Sequence, residues 1–231
     1  MNELVFKLSR IIPSTPRRRV YKIYLNFLWT IYYKEYLRNI NSNSQPGKKL
    51  IKNLVYSWGN AGWSAQQDYI ETLFKYAKNS TSLIFECGSG LSTLLIGPIA
   101  KKRQLKMISF EHNADWANRV QYQINKYKLT ANTILLKPLV NYGDFDWYDI
   151  KNVNVSEIGL CICDAPPGKT HGGRKGFLYL FKKSVRPGTV ILVDDTIREA
   201  EQNMIEEWKN ILNFDVEFKG MNDQHAILTI K

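Results

Sequence analysis

The chain has 231 residues, 44% of them hydrophobic, and a net charge of +11 from 32 basic and 21 acidic side chains. That length and apolar content fit one α/β-sized domain with an extension and exclude a chain too polar to build a core. The charge admits nucleic acid, an anionic membrane surface or an acidic substrate, although basic clusters of this kind are most often solvated surface.

Residues 1–50 read as a basic, aromatic-rich helical extension. Pro13 and Pro16 lead into Arg17-Arg18-Arg19, and Val20, Ile23, Phe27 and Ile31 then recur at helical spacing. No apolar core with a small-residue cleavage site follows Met1, so no secretory leader is expected. The apolar stretch 20–33 is too short to span a bilayer and contains Lys22 and Asn26. Tyrosine and tryptophan beside Arg and Lys over 17–36 form the pattern of an interfacial helix on the inner face of a membrane. The same pattern serves a helix packed on the core or on a second subunit of a homodimer. Residues 41–47, Asn-Ser-Asn-Ser-Gln-Pro-Gly, are turn-rich and are read as the boundary of a second domain over 51–231.

Within that domain the pattern alternates. Ser64 is placed to cap a helix through Gln67, Ile70, Leu73, Phe74 and Ala77, and Trp58 and Trp63 before it form an aromatic wall or core packing. A strand over 83–87 ends in Glu86-Cys87-Gly88-Ser89-Gly90, then a helix over 92–102. Strand, Gly-x-Gly turn and helix make the first half of a nucleotide-type βαβ unit, because glycine lets backbone approach a ligand closely. Thr93 stands where a dinucleotide fingerprint has its third glycine, which argues against NAD. Further strands are predicted over 106–111, 133–137, 158–164 and 189–193, with helices over 114–127, 174–184 and 199–212. Residues 141–154 read as loop, and 214–218 and 226–230 as closing strands. Such alternation predicts an α/β fold: a Rossmann-like parallel sheet with helices on both faces and a C-terminal antiparallel hairpin strand. Cys87, Cys161 and Cys163 all fall in predicted strands. An odd count without framework spacing fits buried free thiols in a reducing, cytoplasmic compartment, and no further Cys or His stands near to complete a metal site.

Ligands of open parallel sheets bind beyond the C-terminal strand ends. Acids stand at four such ends: Glu86, Glu111, Asp164, and Asp194 with Asp195. On Glu86-Cys-Gly-Ser-Gly90, Phe110-Glu-His112, Cys163-Asp-Ala165 and Pro187 to Asp195, the chain resembles the class I S-adenosylmethionine-dependent methyltransferases over residues 55–231. Among these it is nearest the metal-dependent O-methyltransferases of the catechol O-methyltransferase type. The resemblance implies that Glu86, Cys87, Gly88, Ser89 and Gly90 hold the cofactor's methionine portion, with Asp164 contributing. It implies that Glu111 receives the ribose hydroxyls and that His112 lies near the adenine. It implies Mg²⁺ on Asp164, Asp194 and Asp195, three hard oxygen donors, with the metal lowering the pKa of an acceptor hydroxyl. Lys169 follows Asp164 by five residues, where the catechol enzymes have a lysine three on. Lys169, His171 and Asp164 are the catalytic candidates, with Arg174 in the same glycine-rich loop. The expected reaction is O-methylation of a hydroxyl on a small molecule or a sugar or glycan. Two other readings compete. Asp164-Ala-Pro-Pro-Gly168 partly resembles the amino-directed nucleic-acid methyltransferases, but no aromatic follows to stack a flipped base, so nucleic acid is not favoured. A non-enzymatic nucleotide-fold scaffold would leave the acids as helix caps.

Overall fold

The computed structural model describes residues 14–60, 65–155, 157–221 and 224–231, the side chains of residues 14–17 excepted. The Trp63 wall, the Ser64 cap and the tip of the 220–223 turn lie outside the described residues. The chain divides into two compact units, Met1–Ser64 and Ala65–Lys231.

In the first unit, α1 (Ser14–Asn41) and α2 (Lys48–Trp58) are joined by the turn at 42–47. On α1, Leu25, Trp29, Tyr33, Tyr36 and Ile40 are buried and recur every three to four residues. Trp29 stacks on Tyr33 with ring centroids 4.7 Å apart and lies 5.1 Å from Trp58 of α2. Val20, Ile23, Tyr24, Phe27 and Ile31 form a second stripe on the opposite side of the same helix, and these are exposed. Gly59 ends α2 in the left-handed conformation, φ 72°, with its N–H on the Tyr56 carbonyl.

The second unit runs α3 (Gln67–Asn79), β1 (Leu83–Cys87), α4 (Leu91–Lys102), β2 (Met107–Glu111), α5 (Ala114–Lys126), β3 (Asn132–Leu136), β4 (Leu139–Asn141), β5 (Asp146–Tyr148), β6 (Ile158–Cys163), α6 (Gly176–Phe181), β7 (Val185–Val193), α7 (Glu199–Trp208), β8 (Phe214–Lys219) and β9 (His225–Ile230). Seven strands form one sheet in the order β3-β2-β1-β6-β7-β9-β8. The first five are parallel, and β9 pairs antiparallel with both β7 and β8. The predicted Rossmann-like sheet with its antiparallel C-terminal addition is therefore present. The chain leaves β1 outward to β3 and then crosses back to β6, so the switch point lies between β1 and β6, where such sheets bind ligands.

Register sets the level of the site. Cys87 pairs with Cys163 and Cys163 with Val193, so Gly88, Asp164 and Asp194 all emerge at one height above the sheet. Beneath them Phe85, Phe110, Phe177, Phe181, Trp147 and Trp208 fill one apolar core.

Two stretches depart from the sequence reading. Residues 139–148, most of them read as loop, carry the antiparallel ribbon β4–β5, pairing Leu139 with Tyr148 and Asn141 with Asp146. β7 starts at Val185 rather than 189. Its register jumps from Ile158↔Val185 to Leu160↔Val190, because Pro187 and Gly188 (φ 89°) bulge out of the ladder. The helix read over 174–184 shortens to α6.

Candidate active site

The Gly88-Ser89-Gly90 turn joins β1 to α4. Gly88 has φ 84°, and a Cβ there would stand 2.5 Å from the Ala165 Cβ, so glycine is required both by conformation and by the close approach of β6's end. A Cβ on Gly90 would meet only Trp116, at 4.0 Å, leaving the other side of the turn open. The Trp116 indole N–H donates to the Ser89 carbonyl at 2.6 Å and pins the turn to α5.

Glu86 is fully buried one residue before the end of β1. Ser109 on the neighbouring strand is its register partner. Ser92, Thr93 and Ser109 hydroxyls donate to its oxygens at 2.6, 2.6 and 2.5 Å. The Gly90 N–H donates in turn to the Thr93 hydroxyl at 2.8 Å. Glu86, expected among the cofactor residues, has its oxygens engaged in tying β1, β2 and α4 together. Thr93, in the place of a third glycine, is one of these ties. Burial pushes the Glu86 carboxyl up to about 7, against the three hydroxyls that favour the ion. Cys87, also expected at the cofactor, puts its thiol in the core. Burial pushes its pKa up, and pushes that of Cys161 up to about 11, so these are inert thiols as the sequence suggested.

Glu111 ends β2 beside the glycine turn. The Ser89 backbone N–H and hydroxyl donate to Oε2 at 3.0 and 3.1 Å, and the N–H groups of His112 and Asn113 donate to Oε1 at 2.8 and 2.9 Å. His112 Nδ1 stands 3.3 Å from the same Oε1, with its side chain about one-third exposed. Tyr148, at the end of β5, packs edge-on against Phe110 at 5.4 Å and lies 6.3 Å from the His112 ring. Its hydroxyl is buried and has no hydrogen-bond partner among the described residues. Burial, with Cys87 and Glu111 nearby, holds that phenol well above its usual range. Nothing in the sequence marked Tyr148, since its strand was read as loop.

On the other side of the switch point, Asp164, Asp194 and Asp195 come together as expected, with oxygens all within 4.8 Å of one another. Asp195 adopts φ 60°, a conformation that aspartate tolerates better than most residues, and its N–H donates to Asp194 Oδ1 at 2.9 Å. The set is bound to Arg174. Its Nη2 donates to Asp164 Oδ1 at 3.1 Å and Asp195 Oδ2 at 2.7 Å, and its Nη1 donates to the Asp194 carbonyl. Arg198 Nη1 adds a second contact to Asp195 at 3.0 Å. Burial pulls the Arg174 pKa down, and Asp164, Cys163, Asp195 and Asp194 outweigh it and hold it above the usual arginine value. One oxygen each of Asp164 and Asp195 is already bound to the Arg174 guanidinium, so a magnesium ion here would have to share these carboxylates with a buried cation. Lys169 and His171 sit exposed on the loop between β6 and α6, and the His171 carbonyl accepts the Asp146 N–H at 2.9 Å.

A methyl donor with a nucleoside portion does fit the first half of the site. The carboxylate of Glu111 offers a two-oxygen acceptor for a diol, with the Ser89 hydroxyl the contact such a ligand would replace. The turn beside it carries no side chain at Gly88 or Gly90, and Tyr148 brings an unpartnered hydroxyl to the same end of the sheet.

No family model matches the sequence, and no curated protein matches it. Solved structures do resemble it. A Staphylococcus aureus protein assigned as a caffeoyl-CoA O-methyltransferase superposes with TM-score 0.58 at 13% identity, covering 86% of this chain and 99% of its own. The Podospora anserina methyltransferase PaMTH1, bound to SAH, gives 0.57 at 14%, covering 95% and 97%. The O-methyltransferase TomG of Streptomyces achromogenes, in complex with SAM, gives 0.56 at 12%, covering 73% and 82%. These likenesses show the fold alone, one shared with these methyltransferases.

Proposed function

We propose that this protein is an S-adenosylmethionine-dependent O-methyltransferase acting on a hydroxyl of a small molecule or sugar. The observation that carries the reading is Glu111, held at the end of β2 against the glycine turn of β1 and beside the switch point. Fold alone supports many chemistries; this carboxylate in this place is what a ribose diol requires. The SAM and SAH in the neighbours' structures support the same cofactor here.

In this reading the Gly88-Ser89-Gly90 backbone and Glu111 hold the cofactor, with His112 at its base. When bound, the cofactor supplies a sulfonium methyl, which passes to the acceptor oxygen as the C–S bond breaks and the C–O bond forms. Asp164 receives the acceptor's hydroxyl proton on Oδ2, the oxygen that Arg174 leaves free; its side chain is 28% exposed and so reachable. Lys169 and His171, exposed on the same loop, are assigned to contact with the acceptor. Holding the two reactants in line contributes much of the rate in such transfers.

The test is calorimetric titration with S-adenosylhomocysteine. Wild type binds it, and Glu111→Ala weakens binding by about tenfold to a hundredfold, the range for losing charge-assisted hydrogen bonds. Absence of binding to the wild type would return the chain to the scaffold reading.

A further inference from the structure

Three carboxylates within 4.8 Å of one another repel unless a counter-charge is supplied. A divalent cation, a shared proton or a basic side chain can supply it. Here the charge comes from the chain itself. Arg174 is only 2% exposed at its side chain and reaches all three acids, through the carboxylates of Asp164 and Asp195 and through the carbonyl of Asp194. A guanidinium suits this task because its donors lie in one plane and its charge is permanent. Magnesium needs carboxylate oxygens at about 2.1 Å in a near-octahedral shell. A buried guanidinium holding one oxygen of Asp164 and one of Asp195 puts a second positive charge beside any such ion, so ion and guanidinium compete for these two carboxylates. Arg174 also keeps one donor in reserve: its Nε is buried and has no hydrogen-bond partner among the described residues.

We propose that Arg174 takes the place of a divalent cation in this site: it fixes the three aspartates, and methyl transfer proceeds without metal. The proposal rests on the methyltransferase reading above for its second clause only. Arg174 acts as a positioning residue for Asp164.

The experiment is titration of Mn²⁺ into the purified full chain, without cofactor, reading free Mn²⁺ by electron paramagnetic resonance. Wild type shows no saturable site up to millimolar ion. Arg174→Gln gains one, and the gain is lost in Arg174→Gln with Asp194→Asn. Arg174→Lys, which keeps the charge, gains none, and Arg174→Met, which removes it, is expected to gain the site and covers the case in which the glutamine variant does not fold. A saturable wild-type site abolished by Asp164→Asn would overturn the proposal. So would a folded Arg174→Gln chain that gains no site. In turnover, excess EDTA leaves the rate unchanged; a rate that falls with EDTA and returns with Mg²⁺ would also overturn it. S-adenosylhomocysteine binding, measured separately, distinguishes this failure from that of the methyltransferase reading. Binding with an Mn²⁺ site sinks only the arginine proposal, and no binding with no Mn²⁺ site sinks only methyl transfer.

Discussion

Glu86 illustrates how a side chain that reads as functional can be architectural. Its position before the glycine turn is where a ligand-binding acid was expected, and it has the polar company of one. Three hydroxyls from β2 and α4 enclose it instead. Its pKa is about 7 in the folded chain against 4.5 for a free glutamate. The folded state therefore holds a proton that the unfolded chain has already released over that interval. Stability is highest below the lower value, falls as pH rises toward about 7, and then levels off. At about 1.4 kcal/mol per pH unit, the whole loss is on the order of 3 kcal/mol. Glu86→Gln removes this slope. Urea midpoints of both proteins at about pH 5 and about pH 8 test it; equal slopes in the two would sink the assignment.

The elements show what the sequence could and could not reveal. β1, β2 and β6 were legible because apolar runs end at an acid or a turn, and burial on both sheet faces leaves no other use for such runs. β3, part-exposed at the sheet edge, was legible as a short apolar run ending before Pro138. The β4–β5 ribbon was not, since Leu139–Asn141 and Asp146–Tyr148 are three residues each and too short to show alternation. Arg174 was visible as one basic residue in a glycine-rich loop. No local pattern could announce that the loop brings it onto both Asp164 and Asp195, ten residues before it and twenty-one after. α1 was legible as a helix, and the structure adds its two faces. The exposed stripe of Val20, Ile23, Tyr24, Phe27 and Ile31 lies on a helix carrying six basic residues, Arg17, Arg18, Arg19, Lys22, Lys34 and Arg38, and one acid, Glu35. No helix among the described residues is long and apolar enough to cross a membrane. We propose that this exposed apolar stripe, with its basic neighbours, contacts the headgroup region of an anionic bilayer. The chain is expected to co-sediment with phosphatidylserine vesicles at low salt, and Ile23→Glu with Phe27→Glu to abolish this without altering the circular dichroism. Self-association in place of vesicle binding, lost in the same variant, would assign the stripe to a second copy.

At the scale of the molecule, the sheet order carries a consequence for how the chain is made. β9 lies between β7 and β8, although it follows both in sequence. A ribosome therefore delivers β7 and then β8 while the strand that joins them does not yet exist. Until residues 225–230 emerge, the β7 edge has open hydrogen-bonding groups, and Ile191 and Val193 lack the cover of Ala226 and Leu228. An open apolar edge of this kind invites pairing with other chains. Nascent chains stalled after β8 are expected to be protease-sensitive and bound by chaperones. Chains stalled with β9 clear of the exit tunnel are expected to resist digestion at one step, which pulse proteolysis of stalled complexes would read directly. The antiparallel strand is thus a latch: the sheet closes only once β9 has followed β7 and β8 out of the ribosome.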